Sequence, residues 1–183
     1  MPDRLPLPLV CHPARPCAHA LDISAEACRD DAGDLMLHYR VAAPSDLLRV
    51  PPAQTAGPAD NLWQTTCCEA FIAHRDVDAY LEFNLSPSGQ WAVYRFAGYR
   101  QRDVTYAPAA APLIDFTPAP NGFTLLARLP AALLPAGELA VSLTAVIETA
   151  DGDKHYWALT HAGEQPDFHL AQSFTLRIPP DTP

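Results

Sequence analysis

Positive charge is scarce in this chain. Its 183 residues carry 12 Lys and Arg against 21 Asp and Glu, a formal net charge of -9. Nucleic acid and anionic membrane surfaces both require basic patches, so neither is expected as a partner. Long apolar runs are missing too. Residues 1–16, MPDRLPLPLVCHPARP, interrupt each apolar stretch with proline. No secretory signal and no transmembrane segment is expected, and the chain is expected in the cytoplasm. Long helices are disfavoured, because twenty prolines suit frequent turns and strand ends instead. The five cysteines are an odd number, and Cys11, Cys17 and Cys28 show no zinc spacing, so reduced thiols are expected. No Gly-x-Ser-x-Gly occurs, and there is no internal repeat.

What remains is the composition of one soluble domain. The apolar share is 49% and the charged share 18%, and the length suffices for a sizeable core. The boundaries expected are an N-terminal arm over 1–16 and a single domain over 17–183.

The chain is organised around residues 62–100. Three runs alternate apolar and polar side chains: Cys67-Cys68-Glu69-Ala70-Phe71-Ile72, Ala79-Tyr80-Leu81-Glu82-Phe83-Asn84-Leu85 and Gln90-Trp91-Ala92-Val93-Tyr94-Arg95-Phe96. Period-two alternation rich in rings and aliphatics predicts strands. Asp76-Val77-Asp78 and Ser86-Pro87-Ser88-Gly89 supply the turns, giving an antiparallel meander. On its middle strand Leu81, Phe83 and Leu85 point one way, and Tyr80, Glu82 and Asn84 the other. A sheet face bearing Glu69, Glu82, Asn84 and rings suits a polar ligand held by hydrogen bonds and covered by an aromatic ring.

The run Leu62-Trp63-Gln64-Thr65-Thr66, then Glu69 to Ile72, Tyr80 to Asn84, Ser86-Pro87-Ser88-Gly89 and Trp91 resembles the DOMON-like domains. These are related to the family 9 carbohydrate-binding modules. Tyr156-Trp157-Ala158-Leu159-Thr160-His161, followed by Pro166-Asp167-Phe168-His169, is similar to the C-terminal signature of a bacterial group of the same kind. The resemblance covers roughly residues 18–178. It implies an all-β sandwich that binds a sugar in some branches and haem in others.

Elsewhere the same alternation predicts further strands. Residues 18–28 and 35–41 form a hairpin with Leu35, Leu37, Tyr39 and Val41 inward. Residues 114–117 and 122–129 form another, across an Asn-Gly turn. A short helical turn is expected over 130–134, a long strand over 138–148 and a closing strand over 173–178. Eight to eleven strands without a clear helix predict an antiparallel β-sandwich. Leu81, Phe83, Leu85, Leu125, Val141, Leu143 and Ile147 are the expected inter-sheet core.

Several residue groups bear on chemistry. Trp63 and Trp157 stand beside loops, where they either stack on a pyranose ring or cap the core. Glu69 and Glu82 are neighbouring carboxylates. Glycoside hydrolysis needs such a pair at a set separation, whereas pairing with Arg95, Arg100 or Arg102, or accepting sugar hydroxyls, needs only proximity. His155, His161 and His169, with Asp167, are metal-ligating types at irregular spacing. The resemblance implies Met and His as haem ligands, but the two methionines are Met1 and Met36, with Met36 beside His38, so that pair is not evident. Residues 30–34 and 151–153 are acidic turns without a full calcium ligand set. Cys67 and Cys68 are read as buried, inert thiols on opposite faces.

The function expected is non-catalytic binding of a small polar ligand, best taken as a saccharide, with no cofactor and no metal. Glu69, Glu82 and Asn84 would hydrogen-bond it, Arg100 would reach it or pair with a carboxylate, and Trp63 and Trp157 would stack. A haem- or metal-binding DOMON-type domain is the alternative, and an interaction module without a small ligand is the third reading.

Overall fold

The structure, a computed structural model, describes residues 6–44 and 46–180. Residues 1–5 of the expected arm and 181–183 of the expected domain lie outside the described residues. In chain order the strands are β1 (Leu7–Pro8), β2 (Val10–Cys11), β3 (Asp22–Arg29), β4 (Leu35–Ala42), β5 (Gly57–Pro58), β6 (Cys67–His74) and β7 (Tyr80–Leu85). They continue with β8 (Gln90–Phe96), β9 (Leu113–Ala119), β10 (Gly122–Leu129), β11 (Leu139–Glu148), β12 (Lys154–Ala158) and β13 (Leu176–Ile178). Three single 3-10 turns, Leu62–Gln64, Ala131–Leu133 and Ala171–Ser173, are the helical content of the described residues.

Two sheets face each other. The smaller has the order β1-β3-β4-β10-β9, and the larger has the order β2-β12-β11-β6-β7-β8-β5, with β13 also on β11. All pairings are antiparallel except the two-residue contact of β5 with β8. Between the sheets lie Leu35, Leu37, Tyr39 and Val41 of β4, Leu125 of β10, and Leu81, Phe83 and Leu85 of β7, with Val141, Leu143 and Ile147 of β11. This is the expected all-β sandwich and its expected core. Tyr39 is fully buried there, and its hydroxyl donates to the Glu69 carbonyl at 2.6 Å. A buried hydroxyl needs that partner, and the bond ties the two sheets together.

The segment expected as an arm contributes pairing to both sheets. β1 pairs with β3, and two residues later β2 pairs with β12, with Leu9 buried between them. The hairpin of β9 and β10 closes through Pro120 and Asn121, with Gly122 opposite Ala119. Gly122 has φ 127° and lies against β4, where a Cβ would stand 1.9 Å from the Val41 carbonyl oxygen. The site therefore admits only glycine. The closing strand is shorter than expected, because the Ser173 hydroxyl and amide both bond to the Leu170 carbonyl and make a turn there. Pairing starts only at Leu176.

The large sheet is covered on its outer side as well. All ten residues of β11 are buried. Residues 159–175 fold back over this outer face and bring Phe168 and Phe174 against Phe71, Tyr80 and Phe96. Phe71 lies 6.1 Å from both Phe168 and Phe174, ring centre to ring centre. The uncovered remainder of the same face is a concavity.

Candidate functional site

Alternation along the meander and its neighbours selects what floors the concavity. Residues of one parity, Glu69 and Phe71 on β6, Glu82 on β7, Tyr94 and Phe96 on β8, Val146 on β11 and Tyr156 on β12, share the outer face. Register brings them together: Phe71 is opposite Glu82, Glu82 opposite Tyr94, and Val146 opposite Tyr156. The 3-10 turn at 62–64 brings Trp63 to the rim, where the residue is 44% exposed. Arg15, Arg100 and Arg102 stand at the mouth, and residues 165–169 form the wall opposite. The open concavity has a volume of about 610 Å³, within the range of small-molecule sites.

Four of the six residues expected to bind a ligand line this space: Trp63, Glu69, Glu82 and Arg100. Asn84 shares the acids' sheet face, opposite Glu69, but does not line the space. It is fully buried, and its Nδ2–H donates to Glu82 Oε1 at 2.7 Å. Trp157 lies apart from the others, and the expectation that it lines the same space is corrected. Its ring is in the inter-sheet core, where its Nε1–H has no hydrogen-bond partner. The reason is parity: Tyr156 takes the outward position of β12, so Trp157 must point inward.

The floor is acidic and buried. Glu69 is 2% exposed, and its Oε1 has no hydrogen-bond partner. Burial, and then the neighbouring Glu82, push its carboxyl well above the usual range. Glu82 is raised chiefly by burial, with the Asn84 hydrogen bond and the charges of Arg102 and Arg100 opposing. None of the nearby arginines forms an ion pair with either acid. Arg95 pairs with Asp103, Arg100 with Asp167 at 2.9 Å, and Arg102 with Asp60 at 3.7 Å. Arg102 also lies 3.9 Å above the Tyr94 ring.

His169, which the sequence reading placed among metal-ligating types, instead joins floor and cover. Its Nδ1 is 2.8 Å from the Tyr80 hydroxyl, which accepts the Arg100 amide at 3.2 Å. The tyrosine proton is satisfied only if it is given to Nδ1, so the imidazole keeps its proton on Nε2. That nitrogen faces Glu82 Oε2 at 3.8 Å. Burial, with the Arg100 charge assisting, lowers the His169 pKa to about 4, so the ring is neutral at pH 7. Asp167 is held low. Burial alone would raise it, but hydrogen bonds from Tyr99, the His169 amide and Arg100 prevail. Arg100 itself sits in the left-handed region at φ 55°, locked between Tyr80 and Asp167.

The three histidines diverge. His161 Nε2 bonds to the Val10 carbonyl at 2.8 Å, and His155 is buried on the inward side of β12. Among the described residues no group of three or more His, Cys, Asp or Glu is placed to hold a metal ion. In the acidic turns Asp30 and Asp151 accept hydrogen bonds from amides of their own turns. Cys67 and Cys68 are both fully buried, on opposite faces, and burial holds each as a thiol. Tyr94, Tyr156, Arg102 and His169 also line the site, beyond the binding residues expected from the sequence. Tyr94 was legible, because a regular meander sets it opposite Glu82. His169 was not, because residues 159–175 have no periodicity.

No protein-family model matches this chain, and no curated protein sequence matches it. Solved structures do share its fold. A proposed carbohydrate-binding protein from Bacteroides uniformis ATCC 8492 is 16% identical, with a TM-score of 0.66 over 95% of this chain and 84% of that one. A family 9 carbohydrate-binding module from Caldicellulosiruptor kristjanssonii, in complex with glucose, is 11% identical, with a TM-score of 0.58 over 94% and 83%. The same module in complex with cellotriose gives 0.58 at 11% identity over 94% and 82%. The chain is thus a β-sandwich of the architecture these carbohydrate-binding proteins share.

Proposed function

We propose that the concavity on the outer face of the large sheet binds a saccharide without transforming it, and that the chain is a DOMON-like relative of the family 9 carbohydrate-binding modules. The observation that carries this reading is Glu69. A buried carboxyl oxygen without a partner is rare, because each such group costs about 1–3 kcal/mol. Here Glu69 lines a space floored by rings, with Trp63 exposed at the rim. Polyhydroxylated ligands supply what these groups lack. Hydroxyls serve Glu69 and Glu82, and the C–H face of a pyranose packs on an aromatic ring. The likeness of fold to modules solved with glucose and cellotriose agrees with the reading.

A glycan array followed by calorimetry on the best hit tests it. Removing the Glu82 carboxyl or the Trp63 ring is expected to weaken binding by about 1–3 kcal/mol each. If a sugar binds and both Glu82→Ala and Trp63→Ala match wild type, the site lies elsewhere. If none binds at millimolar concentration the saccharide reading fails, and an ultraviolet-visible spectrum with a Soret band would move the assignment to haem.

A further inference from the structure

Two carboxyls share the floor of the concavity with no cation between them. Glu69 Oε1 is unpartnered, and Glu82 Oε2 faces a neutral imidazole 3.8 Å away, beyond hydrogen-bond length. Glu82 Oε1 is occupied by the Asn84 amide. The two acids lie on adjacent strands, Glu69 opposite Asn84 and Glu82 opposite Phe71, so they are diagonal neighbours on one face. The mouth arginines are directed elsewhere. Arg100 is held by Asp167, and Arg102 is held over Tyr94 and towards Asp60. Arg15 is exposed at the rim, where solvent screens it. Tyr94 and Tyr156 flank the acids from β8 and β12, and Cys67 follows on their own face.

We propose that the ligand presents a protonated primary amine to Glu69 and Glu82, and hence that the saccharide is an amino sugar. This narrows the saccharide reading and rests on it. A buried acid pair without a cation keeps a proton, because two unpaired charges are strongly disfavoured away from water. An ammonium brings three donors, enough to serve the Glu69 and Glu82 carboxyls at once. Its charge is also attracted by ring faces, and Phe71, Phe96 and Tyr156 line the same space. A hydroxyl reaches the same oxygens, but charge-assisted hydrogen bonds are about twice as strong as neutral ones. When the ammonium arrives, the proton held on Glu69 leaves for the buffer, and both acids end ionised beside the cation.

Calorimetric titration of the full chain at pH 7 with glucosamine and galactosamine, each beside its parent hexose and its N-acetyl form, tests the inference. At least one amine is expected to bind about tenfold more tightly than both of its counterparts. Its binding enthalpy is expected to differ between phosphate and HEPES, neither of which carries a primary amine, and the difference reads the released proton. Glu69→Gln is expected to abolish both the preference and the buffer dependence, and circular dichroism verifies its fold. If a hexose or N-acetyl sugar binds as tightly as its amine, the amine inference is overturned and the saccharide reading stands. If Glu69→Gln keeps the preference, the acid pair is not its origin. If none of the six sugars binds, the inference falls, and the wider glycan array decides whether the saccharide reading falls with it.

Discussion

Tyr80 and His169 are joined by a hydrogen bond of 2.8 Å between the tyrosine hydroxyl and Nδ1 of the imidazole. One residue belongs to the meander and the other to the segment that covers it, 89 positions later. The bond fixes the ring so that Nε2 faces Glu82. It also makes the cover sensitive to protonation, because an imidazolium has no lone pair to receive the tyrosine proton.

That sensitivity has a definite sign. An unfolded imidazole titrates near 6.5 and the folded one at about 4. Between these values the unfolded chain binds the extra proton, so the contribution is complete above pH 6.5 and is lost as pH falls towards 4. The shift corresponds to roughly 3 kcal/mol. Denaturant melts of wild type and His169→Gln across this window are expected to diverge as pH rises, with wild type gaining. Parallel curves would show that the imidazole is not held neutral.

Glu69 acts in the opposite direction. Its folded carboxyl titrates above the ordinary 4.5. Folding therefore retains a proton that the unfolded chain has released, and stability falls as pH climbs from 4.5 towards the folded value. Glu69→Gln keeps the shape and stays neutral. It is expected to be more stable than wild type at pH 8, with a flatter pH dependence; a less stable variant at pH 8 would count against a buried, unpaired acid.

The two tryptophans separate binding from packing. Trp63→Ala changes a residue that is 44% exposed, so it is expected to leave stability within about 1 kcal/mol while weakening ligand binding. Trp157→Ala is expected to cost about 3–5 kcal/mol, as large-to-small core changes do. Trp157→Phe is expected to bind ligand normally. Thermal melts beside calorimetry check all three, and a Trp157→Phe variant that folds but cannot bind would reopen the assignment of that ring.

Gly122→Ala is expected to destabilise by well over 1 kcal/mol, because the new Cβ would meet the Val41 carbonyl at 1.9 Å and the φ of 127° is strained for any side chain. A melting temperature close to that of wild type would show that β10 can shift away from β4.

Much of the sandwich was legible. The runs at 67–72, 79–85 and 90–96 became β6, β7 and β8, and the Asn121-Gly122 signal fell on a two-residue hairpin. The inter-sheet core could be read because alternation alone decides which side chains face inward. The concavity was only half legible, for two reasons. On a strand as short as Lys154–Ala158, a one-residue ambiguity of parity exchanges Tyr156 and Trp157 between site and core. The wall at 165–169 takes its position from Tyr80, Tyr99 and Arg100, contacts made across more than sixty residues of chain that no local pattern encodes.

The order of strands in the small sheet bears on how fast the chain can fold. β4 ends at Ala42 and its neighbour β10 begins at Gly122, so the whole meander must be threaded between two partners that pair over eight residues. Closing so long a loop costs entropy before any of its contacts form. Refolding is accordingly expected on the slow side for a single domain, from milliseconds to seconds. Until β10 docks, the hydrogen-bonding edge of β4 stays open to any other extended chain, so self-association during refolding should rise with protein concentration.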